Sequence, residues 1–426
     1  MIVYLICYAA SWIFARFGLY YLSGAALFLA AGYLYVYDYR RSGNLIHLRG
    51  LFSCFWVGGQ GAACLKLSKL QTDWALQTWI CFFLALVGFW ITFEVLDRLM
   101  GGNERFTMNR YRQRSTVRPL FFCIVGLTVI SAAAFVTEAA VLGFIPVLVR
   151  GVPHAYSAFH MAGLHYVTVS CVLIPAMTVL YFEQGGSRIG RKNGLIVLCT
   201  LVSIAIPILC VSRFQLVFAV ILAVFTFCAS QKNVSPWLFV AAVVALIPCY
   251  VLLTVARSHD VTYLNGIFEM KNSRMPIFVS QPYIYIANNY ENFDCLVKAL
   301  PAHTWGIRML FPVWALTGLK FLYPYLVSFP IYVDKTELTT VTLIYDAYYD
   351  FGIIGVLVFA CILGAVCFFL VEKLREMKNP MGYLFYGQMA IYMMLSFFTT
   401  WFSNPTTWFY FLVTAVLTFY CSVSRR

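Results

Sequence analysis

Charge is what this sequence has least of. Asp, Glu, Lys and Arg make up 11% of its 426 residues, against about a quarter in a soluble domain. That scarcity excludes a chain built to keep its whole surface in water. The motifs of familiar soluble chemistry are missing too: there is no glycine-rich phosphate loop, no G-x-S-x-G and no H-E-x-x-H. The fourteen cysteines form no C-x-x-C pair and no Cys/His cluster with metal spacing, so no metal site is expected. Almost all of them lie in apolar runs and read as small buried hydrophobes; only Cys295 sits well inside an aqueous segment, which argues against a disulfide framework. The first residues, MIVYLICYAASWIF, carry no basic n-region and no clear cleavage site, and read as a membrane helix rather than a removed signal peptide.

What is abundant is apolar sequence: 62% hydrophobic and 18% aromatic. Runs near the ~20 residues needed to cross a bilayer recur along the whole length. Barrel-type alternation is absent, so the fold class expected is all-α, a polytopic integral membrane protein. At ~17–25 residues per crossing, about twelve spans follow. They fall near 2–15, 19–37, 51–65, 75–97, 119–143, 161–182, 194–210, 214–230, 236–255, 351–371, 381–402 and 406–422. There is no internal repeat and no low-complexity segment.

The net charge of +13 raises the possibility of nucleic acid, but no nucleic-acid motif accompanies it. The basic residues sit between apolar runs. Arg40, Arg41, Arg49, the series Arg98 to Arg118, Arg188, Arg191, Lys192, Lys232, Lys373, Arg375, Lys378, Arg425 and Arg426 all share one side of a twelve-span arrangement. The positive-inside bias then puts both termini in the cytoplasm. Three regions result: a transmembrane bundle over 1–255 with about nine spans, a large outer loop over 256–350, and a bundle over 351–426 with about three spans. The loop is too rich in aromatics, among them Tyr283, Trp305, Trp314 and Tyr332, to be a disordered linker. Its stretch 305–326 is apolar enough to lie in the membrane interface.

Candidate chemistry gathers on that outer face. Arg213 sits in a short turn between two spans, where a guanidinium is costly unless it snorkels to headgroups or meets an anion. With Arg257 at the outer end of the ninth expected span, it suits a lipid-linked diphosphate, since guanidinium forks match phosphate oxygens. Asp346 and Asp350 are four apart and share a helix face, with Tyr345 and Tyr349 beside them. They either favour a helix N-terminus and an interface, or supply a base and a stacking surface for sugar. His303 is a second candidate base. His154, His160 and His165 are expected to lack nearby acids and are assigned nothing. Glu138 and Glu183 lie near span ends, where a packing or interfacial role is expected rather than a catalytic one.

Three stretches carry a family resemblance: VSRFQLVFAV (211–220), ANNYENFDCLVKALPAHTWG (287–306) and TTVTLIYDAYYDFGIIG (339–355). With the layout of about twelve spans and one long loop before the last three, the chain resembles the bacterial oligosaccharide repeat-unit polymerases, the O-antigen polymerase (Wzy-type) family. The resemblance implies a GT-C-like membrane glycosyltransferase of the bacterial inner membrane with its active site facing the periplasm. Its donor and acceptor would be undecaprenyl-diphosphate-linked oligosaccharides, in contact with membrane lipid, and a chain-length regulator protein would be a further partner. By position the family's diphosphate-binding arginines fall on Arg213 and Arg257, with Arg274 or Arg308 as a further loop arginine. The paired R-x(10)-G motifs of some members are absent at these arginines. No cofactor and no metal is implied. The polymer made is O-antigen, capsule or exopolysaccharide; an O-antigen ligase and a repeat-unit flippase are the rival readings.

Overall fold

A computed structural model of the chain describes residues 1–100, 117–149, 155–186, 190–231, 235, 237, 261–272, 274–375 and 377–424. Among the described residues there is no strand, and the one isolated bridge joins Ser68 to Met270. The chain opens with α1 (Ile2–Arg16), α2 (Tyr20–Ser42), α3 (Leu48–Cys64) and α4 (Leu76–Leu99). There follow α5 (Val117–Leu142), α6 (Leu164–Glu183), α7 (Gly190–Leu209) and α8 (Arg213–Ser230). The last part holds α9 (Ile277–Ala299), α10 (Tyr345–Arg375), α11 (Met381–Met394) and α12 (Pro405–Val423).

Seven of these helices are long and apolar enough to cross a membrane: α4 to α8, α10 and α12. The protein is thus all-helical and built as a multi-pass membrane protein is. Five expected crossings stand apart from the seven. Helices α1, α3 and α11 have only 15, 17 and 14 residues. Helix α2 is long enough, but Tyr20, Tyr21, Ser23, Tyr33, Tyr35 and Tyr37 dilute its apolar content. The run 236–255 lies outside the described residues.

Contacts divide the chain into two compact units. The first comprises Met1–Phe106, Asp260–Glu372 and Tyr392–Thr407. Its core is an aromatic box in which Trp56 of α3, Trp74 and Phe82 at α4, and Tyr290 and Phe293 of α9 meet at centroid distances of 5.1 to 6.3 Å. Offset and edge-on rings of this kind contribute about 0.5–1.5 kcal/mol each beyond burial. Tyr290 Oη donates to Trp56 O at 2.8 Å. Helix α10 crosses α4 where a Cβ on Gly364 would lie 2.5 Å from Phe89 O, so the backbones touch there.

Helix α9 breaks the hydropathic rule by burying a polar face. Glu291 accepts from Lys66 Nζ at 2.5 Å, Trp74 Nε1 at 2.8 Å and Thr72 N at 3.1 Å. Asp294 accepts from Thr78 Oγ1 and Ala75 N. Together they pin the α3–α4 connection. Asn292 Nδ2 donates to Leu338 O and Thr340 O at 2.7 Å, and its Oδ1 accepts from Asp334 N at 3.0 Å. Asn289 Nδ2 donates to Phe397 O at 2.8 Å. These bonds fix two loops that border the site below.

The second unit comprises Thr107–His259, Lys373–Ile391 and Trp408–Arg426. Here Glu138 is fully buried on α5. It accepts from Thr168 Oγ1 at 2.7 Å and Met161 N at 3.1 Å, and pairs with His165 Nδ1 at 3.2 Å. The expectation that His165 has no acid is therefore corrected. The partner is 27 residues away, across the α5–α6 connection.

Candidate active site

In the first unit the start of α10 and the loop before it build one polar cluster. Asp346 lies in the first turn of α10, where a carboxylate complements the helix dipole. The turn is short because Gly352 takes φ 62° and ψ −147°, a combination open essentially to glycine alone. That break separates residues 345–351 from the apolar helix beyond. The expected boundary at 351 falls there.

Asp350 is fully buried. Its carboxylate accepts from Thr304 Oγ1, Met309 N at 2.7 Å and Arg308 N at 3.3 Å. Trp305 N donates to Asp350 O at 3.2 Å. The segment 303–309 is thereby wrapped on α10, through left-handed backbone at Trp305 (φ 55°) and Gly306 (φ 95°). His303 Nδ1 donates to Tyr349 O at 3.2 Å. A carbonyl only accepts, so this bond leaves Nε2 as the acceptor nitrogen. His303 is exposed.

Arg308 is the product of this wrapping. Its Nε donates to Asp346 Oδ1, and its guanidinium lies 4.6 Å from the Tyr349 ring and 5.3 Å from the Tyr345 ring. Burial opposes charge on Arg308, but the Asp346 carboxylate and the two tyrosines outweigh it and raise the guanidinium above its ordinary value. Its two terminal NH2 groups have no hydrogen-bond partner among the described residues. Tyr345 Oη accepts from Tyr332 N at 2.8 Å and donates to Tyr332 O at 3.0 Å, which locks the loop to the helix.

Arg308 and Asp346 form the charged wall of a cavity of about 340 Å³. Phe311, Leu326, Val327, Phe329 and Ile331 give it an apolar side, and Thr399, Thr400, Ser403 and Asn404 a polar one. The last four were missed in sequence. The expected span 381–402 ran over Thr399 and Thr400 and left Ser403 and Asn404 as a bare join to the next span, whereas α11 ends at Met394 and Pro405 opens α12. The run TTWFSNP, polar and ending in proline, was the available signal.

Six of the nine sequence candidates thus stand together: His303, Arg308, Tyr345, Asp346, Tyr349 and Asp350. Arg274 is exposed in the turn before α9, its N–H on Asn272 Oδ1 at 3.0 Å. Arg213 belongs to the second unit and begins α8, after Val211 at φ 54°, an outlying conformation for a β-branched residue. Arg257 lies outside the described residues. Among the described residues no group of three or more His, Cys, Asp or Glu is placed to hold a metal ion. Compared with known proteins, the chain matches no family model, no curated protein and no solved structure.

Proposed function

We propose that the chain is a membrane glycosyltransferase that polymerises oligosaccharide units carried on undecaprenyl diphosphate. One observation carries the reading: Arg308 keeps two NH2 groups open in a cavity whose other charged group is Asp346 and whose far wall is apolar. Open guanidinium donors suit diphosphate oxygens, tyrosine faces suit sugar rings, and an apolar wall suits a polyprenyl chain.

In the reaction an acceptor hydroxyl oxygen attacks the anomeric carbon of the donor sugar. The bond from that carbon to the diphosphate oxygen breaks, and its electron pair leaves with the diphosphate. Arg308 stabilises that charge, and Asp346 takes the hydroxyl proton. Asp350 is a positioning residue, since its carboxylate is occupied in holding the backbone of Arg308 and Met309. Arg213 and Arg257 keep their proposed diphosphate roles from the resemblance. In this reading the chain crosses the inner membrane about twelve times in a GT-C-like arrangement, with both termini cytoplasmic and the cavity facing the periplasm.

The test is the chain-length ladder in a deletion strain carrying variants. Arg308→Ala is expected to abolish long chains when activity is compared at equal amounts of folded protein, and Asp346→Asn to slow turnover about 10²–10⁴-fold. A full ladder from either variant overturns the role given to that residue. Single repeats should accumulate; free undecaprenyl-linked polymer would instead mark a ligase.

A further inference from the structure

We propose that the arginine-rich ends of α2 and α4 form a binding site for an anionic phospholipid, on the membrane face away from the Arg308 cavity. The two sites lie at opposite ends of α4. Near its start, Gln77 Nε2 donates to Tyr348 Oη at 2.7 Å, beside the cavity residues. Near its end stand Glu94 and Arg98. Twenty-odd residues at about 1.5 Å each separate them by about 30 Å, the thickness of a bilayer core.

The pocket at the arginine end has a volume of about 740 Å³ and is lined by Arg40, Arg41 and Arg98 together with Tyr33 and Tyr37. A second pocket of about 460 Å³ shares Tyr33, Tyr37, Glu94 and Arg98 and runs on past Trp90 and Ile91 to Ile2. One continuous trough results, cationic at one end and apolar along its length. Its apolar side is open: Tyr33 is 46%, Val36 43% and Ile91 52% exposed. An amphiphile with a negative head and a hydrocarbon tail matches both halves.

The charges decide the sign. Asp38 is taken up by Arg49 at 2.5 Å. Asp97 is taken up by Arg41 at 2.7 Å. Glu94 is shared by Arg41, Arg49 and Arg98 at 2.9 to 3.3 Å. Arg40 is exposed and has no acid among the described residues, and Arg98 keeps 78% of its side chain in the open. Among the described residues four arginines face three acids, so the trough retains positive charge for a phosphodiester. Arg49, stacked 4.1 Å from Trp90, is the fixed base on which the movable arginines stand.

The purified full chain in neutral detergent is titrated with phosphatidylglycerol, with phosphatidylcholine and with inorganic phosphate, and retained lipid is counted by native mass spectrometry. One saturable phosphatidylglycerol per chain is expected. Arg40→Gln/Arg98→Gln should weaken it about 30-fold, at about fivefold per surface guanidinium. Lys69→Gln, the same charge removed beyond the other end of α4, should leave it unchanged. Val36→Glu, on the open wall, should abolish retention without touching an arginine. Equal retention of phosphatidylcholine, displacement by inorganic phosphate alone, or undiminished binding in both the double variant and Val36→Glu overturns the proposal.

Discussion

The two ends of the first unit each hold an arginine paired with an aspartate and backed by aromatic rings, yet they do opposite things with it. At one end Arg49 sits 2% exposed, and each of its nitrogens is occupied: Nε and one NH2 on Asp38, the other NH2 on Glu94. Trp90 and Phe93 cover its face at 4.1 and 4.8 Å. At the other end Arg308 gives only Nε to Asp346 and keeps its remaining donors at a cavity. The lesson is that an aromatic-backed ion pair has no fixed meaning in itself. Its unoccupied donors, and whether space lies in front of them, separate scaffold from site.

The comparison is broken or upheld first by removing each arginine. Arg49→Ala leaves Asp38, 1% exposed, without its counter-charge, and breaking a buried pair from one side costs about 3–5 kcal/mol. Folded protein recovered from membranes should collapse. Arg308→Ala strands Asp346 in the same way, but that carboxylate lines an open cavity that water can enter. The yield should therefore fall less than for Arg49→Ala, while transfer per folded molecule falls about 10²–10³-fold, the size of a lost charge-stabilising donor. Equal loss of folded protein from both variants would erase the distinction.

A third buried pair sharpens it. Lys66 and Glu291 are 6% and 2% exposed and joined at 2.5 Å. Burial pushes the Glu291 carboxyl up, and the neighbouring Lys66 opposes that shift. Glu291→Gln strands the ammonium and Lys66→Met strands the carboxylate, so each single change should lower thermal stability by about 3 kcal/mol. The double variant removes both charges and should lie nearer the parent than either single. Additive losses would mean that the pair is not the unit holding the α3–α4 connection.

Smaller again is Gly352→Ala. Its backbone combination costs a residue with a Cβ about 1–3 kcal/mol. The new carbon would also lie 3.0 Å from His303 Nε2. Transfer should fall more than stability does, because the strain is delivered to the turn carrying Asp346 and Asp350. A change in melting temperature with activity intact would free His303 and the kink from any part in the reaction.

Most spans were legible because a bilayer selects for one quantity, apolar length, which a sequence displays directly. Expected runs at 75–97 and 119–143 became Leu76–Leu99 and Val117–Leu142. For helix α9 the resemblance at 287–306 pointed to a loop helix, and a helix stands at Ile277–Ala299, but its burial was not legible. NNYENFD sets only Tyr290 and Phe293 against five polar residues, and only partners distant in sequence, such as Lys66, Trp74 and Leu338, make the burial of those polar groups tolerable. The acidic turn of α10 stood out as charge at the edge of an apolar run. What distinguished Arg308 from Arg274 was not visible, since both are loop arginines until Asp350 folds one of them over α10.

The smallest expected effect concerns an acid that never gained a guanidinium. Asp334 follows the loop locked by Tyr345, and its neighbour Lys335 is taken by Glu269 at 2.6 Å. Burial and then the Glu269 charge raise the Asp334 carboxyl above its ordinary value, with Lys335 opposing them weakly. The folded state therefore holds the Asp334 proton more tightly than the unfolded state does. Its contribution is full below the ordinary aspartate range and is lost as pH rises through the raised value. Asp334→Asn should melt slightly above the parent at neutral pH, and the two curves should converge as the pH is lowered toward 4. The backbone bond from residue 334 to Asn292 Oδ1 survives the change, so the difference reads charge alone. A variant less stable than the parent at neutral pH would mean that the attraction of Lys335 outweighs burial and the Glu269 charge.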